Sequence, residues 1–394
     1  MKYARATPPE PGRLLSWVER MRGLTAVVWG DFVLDEYWRC LTRRVSREAP
    51  VLVLDWQSRE AQGGGAANAA LNLVALGARV RAVGWVGADA AGEELGHLLS
   101  AAGVDVAGLL LHPDAATVVK TRIVAGSVHT ALQQVVRVDR GAAFPPGATG
   151  RAALSRALER AARGAQAVVL SDYGYDSVTP ALAAPHVRAW QERRVPVALD
   201  ARYRLAGYRG VTLATPNESE AAAAAGLEIA SVRDLARVAS RLLRVVGADH
   251  LLITRGRDGL TLWERDRGVS LEAFGGEEAV DVTGAGDAVV ATATLALAAG
   301  APALEAAALA NVAGSVAVSR RGAVAVSAAD LERALGRAAR ARRARAARSP
   351  RGAGEGAAAG AADGAKDGGK VGGKVGAGAG RRARAGSRAR RGPR

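Results

Sequence analysis

Strand-length apolar runs alternate with segments of helical period along most of this 394-residue chain. Runs such as Thr25–Trp29 and Ala167–Leu170 are continuously apolar, which is typical of strands that are buried on both faces. Helices between such strands carry the chain back across the sheet, so the strands pair in parallel. The sequence therefore predicts an α/β fold in which helices cover both faces of a mainly parallel sheet. The predicted strands are Thr25–Trp29, Val80–Trp85, Ala167–Leu170, Val195–Leu199, Val211–Ala214 and His250–Thr254, and the predicted helices are Ala66–Leu76, Gly92–Ala102, Gly150–Ala162, Pro180–Glu192 and Ser231–Val246.

Three further segments are rich in β-forming residues but lack neighbouring helices: Val51–Trp56, Val118–Val124 and Gln134–Asp139. We predict that they form a small separate sheet, a β-lid that spans about residues 45–57 and 117–139. The alternative is that these segments extend the edge of the main sheet.

The end of the chain has a different composition and carries most of the charge. From Arg337 onwards there are 17 Lys and Arg residues and three acids, so this segment holds +14 of the formal net charge of +16. It contains little apolar surface to bury, so disorder is expected. We therefore divide the chain into a lead-in with a short helix (1–20), one domain (21–337) and a basic tail (338–394), in which the Arg/Ala stretch up to Arg348 can extend the last helix.

Cysteine use and the N-terminus bear on the compartment. One cysteine, Cys40, excludes an intramolecular disulfide and favours a reducing environment. The first residues lack the apolar core of a secretory signal, and we find no membrane span in the sequence. We therefore expect a cytoplasmic protein.

The segment Asp281–Asp287 reads Asp-Val-Thr-Gly-Ala-Gly-Asp and leads into an apolar, helix-compatible run. A chain that turns on glycines into a helix leaves its first backbone N–H groups unpaired, and these donors form an anion site together with the helix dipole. A carboxylate beside such a site suits a base that takes a proton from a hydroxyl as it attacks a phosphate. The alternative is an ordinary glycine turn with an acidic cap.

Four motifs occur in a specific order: Gly30-Asp31, Gly63 to Asn68, Thr215 to Glu220 and Asp281 to Asp287. In this order and spacing, over roughly residues 24–335, they resemble the ribokinase-like (PfkB) family of carbohydrate kinases. Within the family, the chain is most similar to the heptose-7-phosphate kinase domains of bifunctional ADP-heptose synthesis proteins. The segments that carry this similarity are Gly30–Trp38, Ser46–Val51, Lys120–Arg122, Ser171–Gly174 and Thr215–Asn217.

Two positions depart from the family pattern. Arg47 stands where a proline is usual, and Thr292 stands where a small residue is usual. We interpret Thr292 as a packing variation.

The resemblance implies a three-layer ribokinase-like fold, ATP and Mg²⁺ as cofactors, and phosphorylation of D-glycero-β-D-manno-heptose 7-phosphate to the 1,7-bisphosphate in the ADP-heptose and lipopolysaccharide precursor pathway. It implies that Asp287 is the catalytic base and that the amides of Gly284, Ala285 and Gly286 hold the transferring phosphate. Phosphoryl transfer needs mainly positioning and charge stabilisation, which these groups supply. The lid strands of this family often pair between subunits, so a homodimer is also implied.

On the sugar side, Asp31 follows the carboxyl end of a strand, where open α/β sheets bind ligands. The glycines before Asn68 let a ligand approach the backbone closely, and cations of the lid would meet the distal phosphate of the sugar. The alternatives are a turn aspartate, ordinary helix packing and solvated strand cations. The candidate residues are Asp31, Gly64, Gly65, Asn68, Lys120 and Arg122, with Arg137 as a third cation.

On the ATP side, Asn217 and Glu220 share one face of a helix start. They match a family motif that organises Mg²⁺ and phosphates, with Glu220 reaching the metal through water. The same pair also fits a capping box. Thr254, Gly256 and Gly259, which follow a predicted strand, match the family's nucleotide loop. Asn311, on a later helix, matches a position near the adenine; the alternative is an ordinary helix-surface residue.

Missing motifs narrow the choice of function. The chain has no Gly-x-x-x-x-Gly-Lys-[Ser/Thr], which argues against a P-loop kinase. It also lacks the His-x-Gly-His of a nucleotidyltransferase half, so the resemblance covers the kinase half alone. Three alternatives stay open: another PfkB sugar or nucleoside kinase, a nucleic-acid or polyanion-binding protein that uses the tail 338–394, and an inactive kinase that serves as a scaffold.

Overall fold

A ten-stranded sheet forms the centre of the structure. The computed structural model describes residues 2–126, 132–143, 147–265, 267–275 and 279–348. Its strands are β1 (Lys2–Arg5), β2 (Thr25–Gly30), β3 (Phe32–Val45), β4 (Leu52–Gly65), β5 (Arg79–Gly87), β6 (Asp105–His112), β7 (Val118–Gly126), β8 (Gln133–Arg140), β9 (Ala167–Asp172), β10 (Val197–Ala201), β11 (Leu213–Ala214), β12 (His250–Thr254), β13 (Leu260–Glu264) and β14 (Arg267–Leu271).

Parallel pairing dominates the main sheet. The strand order is β1-β14-β13-β12-β11-β10-β9-β2-β5-β6, and β13 runs antiparallel to its two neighbours while the other pairs are parallel. Every residue of β2 and β9 is buried, as expected for strands covered on both faces. The mainly parallel sheet predicted from the sequence is confirmed.

Helices cover both faces of this sheet and create two cores. Ala26 and Val28 of β2 pack into one core, whereas Val27 and Trp29 pack into the other. The first core contains residues of α1, α2, α3, α8, α9 and α10, and the second contains residues of α4 to α7. The helices are α1 (Pro11–Met21), α2 (Ala66–Ala75), α3 (Ala90–Ala101), α4 (Ala148–Ala161), α5 (Pro180–Glu192), α6 (Glu218–Ala225), α7 (Val232–Val246), α8 (Ala285–Ala298), α9 (Ala303–Val318) and α10 (Ala328–Arg348).

A second sheet of four strands, in the order β4-β3-β7-β8, forms the lid. Strands β3 and β4 make a long antiparallel hairpin whose pairs run from Phe32 and Gly65 to Val45 and Leu52. The lid segments predicted at 45–57 and 117–139 overlap the described parts of β3, β4, β7 and β8. The hairpin begins at Phe32, however, well before residue 45. The sequence concealed β3 because the buried acids Asp35 and Glu36 interrupt its apolar pattern.

Both predicted domain boundaries differ from the structure. The segment 1–20 is not separate from the domain, since β1 pairs with β14 and α1 buries Leu14, Val18 and Met21 in the first core. At the other end, α10 continues past the predicted boundary at residue 338 to Arg348, which agrees with the predicted extension of the last helix through the Arg/Ala stretch. The rest of the predicted tail, 349–394, lies outside the described residues. Within the described residues, no helix combines the length and apolar character that crossing a membrane requires.

Candidate active site

A cleft of about 1800 Å³ lies between the lid and the carboxyl ends of the main-sheet strands. This is the edge at which open α/β sheets bind ligands. Its walls come from the lid, from residues at strand ends, and from the first turns of α2, α6 and α8, and α9 and α10 also contribute. Lining residues include Val33, Asp35, Gly64, Asn68, Lys120, Arg122, Arg137, Tyr173, Asp200, Arg202, Thr215, Asn217, Glu220, Thr254, Asp287, Asn311 and Arg337.

Asp287 lies in the first turn of α8, at the helix start that the sequence predicts. Gly284 precedes the helix with a φ of +77°, and a Cβ atom there would come within 2.6 Å of the Asn68 amide nitrogen. The Ala288 N–H donates to the Gly284 carbonyl at 3.1 Å, so the N–H groups before it lie outside the helical ladder. Among these groups, the Ala285 N–H makes a long bond of 3.4 Å to the Val282 carbonyl. The structure brings Asp287, Gly284, Ala285 and Gly286 together on the cleft wall.

The Asp287 carboxylate is buried and holds two hydrogen bonds. The Asn68 side-chain amide donates to its Oδ2 at 2.6 Å, and the Tyr173 hydroxyl donates to its Oδ1 at 3.3 Å. Burial raises the pKa of Asp287 to about 7; the Asn68 hydrogen bond opposes this, and the nearby negative charge of Asp35 adds to it. A carboxylate with this pKa suits proton transfer near neutral pH.

Asp281, at the start of the same motif, has a structural part in the loop. Its Oδ1 accepts from the Thr283 N–H at 2.9 Å and from the Thr283 hydroxyl at 2.7 Å, and its Oδ2 accepts from the Gly322 N–H at 2.9 Å. These bonds fix the turn that leads into α8, so the two acids of the motif have different environments.

Asp31 does not line the cleft, in contrast to the sugar-binding position predicted from the sequence. Its side chain is 2% exposed. Its Oδ2 accepts from the N–H groups of Tyr173 (2.8 Å) and Tyr175 (3.0 Å), and its Oδ1 accepts from the Ser177 N–H (2.9 Å). Asp31 therefore holds the loop that carries Tyr173 into the cleft.

The predicted lid cations do reach the cleft, and each already has an acidic partner. Arg122 lies 2.8 Å from Asp35 Oδ1. The Lys120 ammonium donates to the Tyr175 hydroxyl at 2.9 Å and lies 3.5 Å from Asp139 Oδ2, and Arg137 also pairs with Asp139.

The glycines before α2 stand beside this group of charges. A Cβ atom on Gly64 would lie 2.5 Å from Asp35 Oδ2, so only glycine allows the backbone to approach that carboxylate. Gly65 has a φ of +55° and lines the cleft with Gly64 and Asn68.

Asn217 and Glu220 form the capping box of α6 and also line the cleft. Asn217 Oδ1 accepts from the Glu220 N–H at 2.9 Å, and Glu220 Oε2 accepts from the Asn217 N–H at 3.0 Å. The structural and functional interpretations of this pair are therefore compatible. Burial raises the pKa of Glu220.

The remaining predicted nucleotide residues also lie on the cleft: Thr254, Gly256, Gly259 and Asn311. The Thr254 N–H donates to the Pro216 carbonyl at 3.0 Å, which joins the nucleotide loop to the segment before α6. The Asn311 side-chain amide donates to the Glu272 carbonyl at 2.6 Å.

Several lining residues were absent from the candidate set, and four of them bear directly on the chemistry of the cleft. Asp35 lies on β3, Tyr173 follows β9, and Asp200 and Arg202 lie at the end of β10. Burial raises the pKa of Asp200 well above its usual range, and the negative charges of Asp287 and Glu220 act in the same direction. Three of the four could have been found by collecting polar residues at the carboxyl ends of predicted strands.

Comparisons with known proteins bear on this arrangement. The family model described as pfkB family carbohydrate kinase matches residues 27–330. The chain is 42% identical to the bifunctional protein HldE of Geobacter metallireducens over 316 residues, and this aligned region covers 80% of this chain and 64% of that protein. It is 36% identical over 331 residues to the HldE of Mesorhizobium japonicum, which covers 83% of this chain and 65% of that protein. The chain thus spans less than two thirds of the length of these relatives.

Solved structures of lower identity share the fold. The ribokinase of Arabidopsis thaliana, complexed with ribose and ATP, superposes with a TM-score of 0.62 at 18% identity over 80% of this chain and 99% of that chain. Phosphofructokinase-2 of Escherichia coli, in complex with potassium, gives a TM-score of 0.65 at 20% identity over the same shares. The predicted ribokinase-like three-layer fold is confirmed.

Proposed function

Because this chain belongs to the pfkB family of carbohydrate kinases, we propose that it uses ATP to phosphorylate D-glycero-β-D-manno-heptose 7-phosphate to the 1,7-bisphosphate. The observation that carries the proposal is the buried Asp287 at the N-terminus of α8, in one cleft with the lid cations and with Asn217 and Glu220. The family's activity is the phosphorylation of carbohydrates. The proposal specifies the acceptor, a sugar phosphate, and the catalytic base, Asp287.

In the proposed reaction, the anomeric hydroxyl oxygen of the sugar attacks the γ-phosphorus of ATP. A bond forms between that oxygen and the phosphorus, the bond from the phosphorus to the β-γ bridging oxygen breaks, and ADP leaves with the electron pair. Asp287 accepts the hydroxyl proton. The amides of Gly284, Ala285 and Gly286 stabilise charge on the transferring group, because a helix start presents N–H donors to an anion.

Asn68 and Tyr173 prepare Asp287 for this step. Each donates a hydrogen bond to a different oxygen of the carboxylate, which fixes its plane and favours the ionised form over the protonated form. Burial acts in the opposite direction. The balance leaves a base that is ionised near neutral pH yet desolvated enough to accept a proton.

The lid supports a sugar that already carries a phosphate. Lys120 and Arg122 are 11% and 13% exposed at their side chains and lie on the cleft. Cations that are shielded from water interact strongly with an incoming dianion. The phosphate of the sugar would replace Asp139 and Asp35 as the partner of these cations. We assign the binding of sugar hydroxyls to Asp35, in place of Asp31.

The residues present also fit Mg²⁺. Mg²⁺ is usually held by one or two carboxylates together with substrate phosphates and water. Glu220 and Asn217 offer oxygen ligands beside the predicted phosphate position. The described residues contain no cluster of three or more His, Cys, Asp or Glu side chains that could hold a metal ion by itself, so the phosphates of ATP and water would complete the coordination. When bound with ATP, the ion would neutralise phosphate charge.

A coupled ADP-release assay on the purified protein tests the function. The panel contains the heptose 7-phosphate, ribose, fructose 6-phosphate and adenosine, and the heptose phosphate should give the highest kcat/KM. Asp287→Asn should lower kcat by at least ~10²-fold, in line with the contribution of a general base, while ATP binding changes little. Equal and low turnover with every acceptor would refute the heptose assignment, and a preference for another acceptor would favour a different pfkB sugar or nucleoside kinase.

We also propose that the lid pairs with a second copy of the chain. Several large apolar side chains of the lid are exposed, including Trp56 at 61% and Val45 at 59%. The proposal rests on this surface and on the family resemblance; light scattering of the wild type and of Trp56→Ser would distinguish a lid-mediated dimer from a monomer.

A further inference from the structure

Arg202 occupies a central position that the proposed reaction has not yet used. It follows β10 by one residue, its side chain is exposed, and it lines the cleft. Its guanidinium lies over the Tyr173 ring, 5.5 Å from the ring centroid. The same tyrosine donates a hydrogen bond to Asp287, so one side chain contacts both the proposed base and this cation.

In contrast to Lys120, Arg122 and Arg204, Arg202 forms no ion pair with a carboxylate among the residues that the structure describes. Lys120 and Arg122 each lie within ion-pair distance of an acid. Arg204, two residues further on, pairs with Asp172 and Asp176. The guanidinium of Arg202 thus keeps its N–H donors available, while the cation–π contact restricts where it can lie.

Three acids interact electrostatically with Arg202 without forming an ion pair with it. The positive charge of Arg202 opposes the raised pKa values of Asp287, Asp200 and Glu220, which come from β10 and from the starts of α8 and α6. These three acids include the proposed base and the proposed Mg²⁺ ligand. Arg202 therefore acts electrostatically on both groups and lines the cleft in which the proposed transfer takes place.

Phosphoryl transfer requires positive charge at this place. The reacting group carries negative charge on three oxygens, and enzymes supply cations or N–H donors to those oxygens. This sequence has no P-loop lysine to do so. The amides at the start of α8 provide one side of the site, and a planar guanidinium with several donors matches phosphate geometry on the other.

We propose that Arg202 contacts the transferring phosphoryl group and stabilises its charge in the transition state, with Tyr173 as the residue that positions it. This inference rests on the proposed kinase function and names a group in the same site. Tyr173 is itself fixed, because Asp31 accepts the backbone N–H groups of Tyr173 and of two further loop residues.

Steady-state kinetics of Arg202→Met and Arg202→Lys test the proposal, measured on the acceptor that the panel identifies. Arg202→Met should lower kcat by at least ~10²-fold while KM for ATP and for the sugar changes only a few-fold, since the contact strengthens in the transition state. Arg202→Lys should recover part of the loss. The control is Arg188→Met on α5, an exposed arginine that pairs with Glu192 and does not line the cleft; it should match the wild type.

A binding measurement separates a contact with the phosphoryl group from a structural effect. ADP with Mg²⁺ and the sugar should raise the Tm of the wild type and of Arg202→Met alike, whereas adding aluminium fluoride, which mimics the transferring group, should raise only the wild-type Tm further. The proposal would be overturned by equal kcat values in Arg202→Met and the wild type. It would also be overturned if aluminium fluoride raised the Tm of Arg202→Met as much as that of the wild type. A wild type that neither turns over any acceptor nor responds to ADP would instead overturn the kinase function.

Discussion

Buried acids surround the floor of the cleft. Burial raises the pKa of Asp287 to about 7 and that of Asp31 to about 6, and it also raises the pKa of Asp200. Each of these groups binds its proton more tightly in the folded state than in the unfolded state. The contribution of these three groups to the free energy of unfolding therefore falls as pH rises from about 4 to 7, because the folded protein must ionise carboxylates that water no longer solvates.

Asp287→Asn should consequently stabilise the protein while it abolishes most turnover. The asparagine can accept from Asn68 and donate to Tyr173, and it carries no charge to bury. The gain in unfolding free energy at pH 8 should be on the order of 4 kcal/mol at most, from a shift of the pKa from 3.8 to about 7, and it should narrow as pH is lowered to 5. Thermal unfolding at both pH values measures it.

The exposed Asp114, changed to Asn, is the matched control and should show no such pH-dependent difference. An Asp287→Asn variant that is less stable than the wild type at pH 8 would contradict the buried-charge account.

At the scale of elements, the loop between β9 and α5 depends on a few buried polar contacts. The Asp31 carboxylate accepts hydrogen bonds from three backbone N–H groups of this loop. Asp172 accepts from Arg204 and from the Tyr208 hydroxyl, the latter at 2.7 Å. Together with Val178, which packs into the second core, these acids hold Tyr173 in its place beside Asp287.

Asp31→Ala should therefore destabilise the protein by about 3 kcal/mol, because it leaves three buried N–H groups without an acceptor. Chemical denaturation measures the loss, and amide exchange should accelerate at Tyr173, Tyr175 and Ser177. Asp105→Ala is the control: this exposed side chain accepts one N–H, from Ala107, and its loss should cost about 0.5 kcal/mol or less. A loss of the same size in both variants would show that Asp31 does not hold the loop.

Local patterns predicted the elements with regular periods. The bounds of β12 and α5 agree with the sequence interpretation residue for residue, because an unbroken apolar run and a Thr179-Pro180 helix start are local signals. Strand β3 escaped because its acids are stabilised by partners far along the chain, such as Arg122 for Asp35.

The site shows the same division. Asp287 and its glycines were identified from seven consecutive residues. Asp31 was assigned to the cleft, whereas its carboxylate points to the backbone of a loop about 140 residues later. Asp200 and Arg202 follow a predicted strand, which is a signal for the ligand-binding edge, but their interaction with Asp287 and Glu220 depends on the fold and has no local pattern.

At the scale of the whole molecule, α10 connects the folded body to the basic C-terminal segment. Leu331 and Leu335 pack into the core, while Arg337 and Arg342 further along the helix line the cleft. A deletion from residue 338, the boundary predicted from composition, would remove part of the cleft wall. Residue 348 is the better place to separate the two parts.

Deletion of residues 349–394 should leave kcat and KM within about two-fold of the full chain, since the proposed site residues all precede it. If the basic tail contacts polyanions, binding to duplex DNA should weaken steeply with salt in the full chain and be lost in the deletion variant. Binding measured at two salt concentrations tests this. DNA binding that survives the deletion would show that the tail is not responsible.

The pairing of β1 with β14 has a consequence for biosynthesis. Strand β1 is synthesised long before its sheet partner, and it can pair only when residues near Arg267 have been made. Helix α1 packs against α8, α9 and α10, which come later still. The sequence separation of these contacts is close to the largest that the described chain allows, so closure of this edge must be a late event in folding. Until then the nascent chain exposes Leu14, Val18 and Met21, so chaperone protection of this segment during translation would limit aggregation.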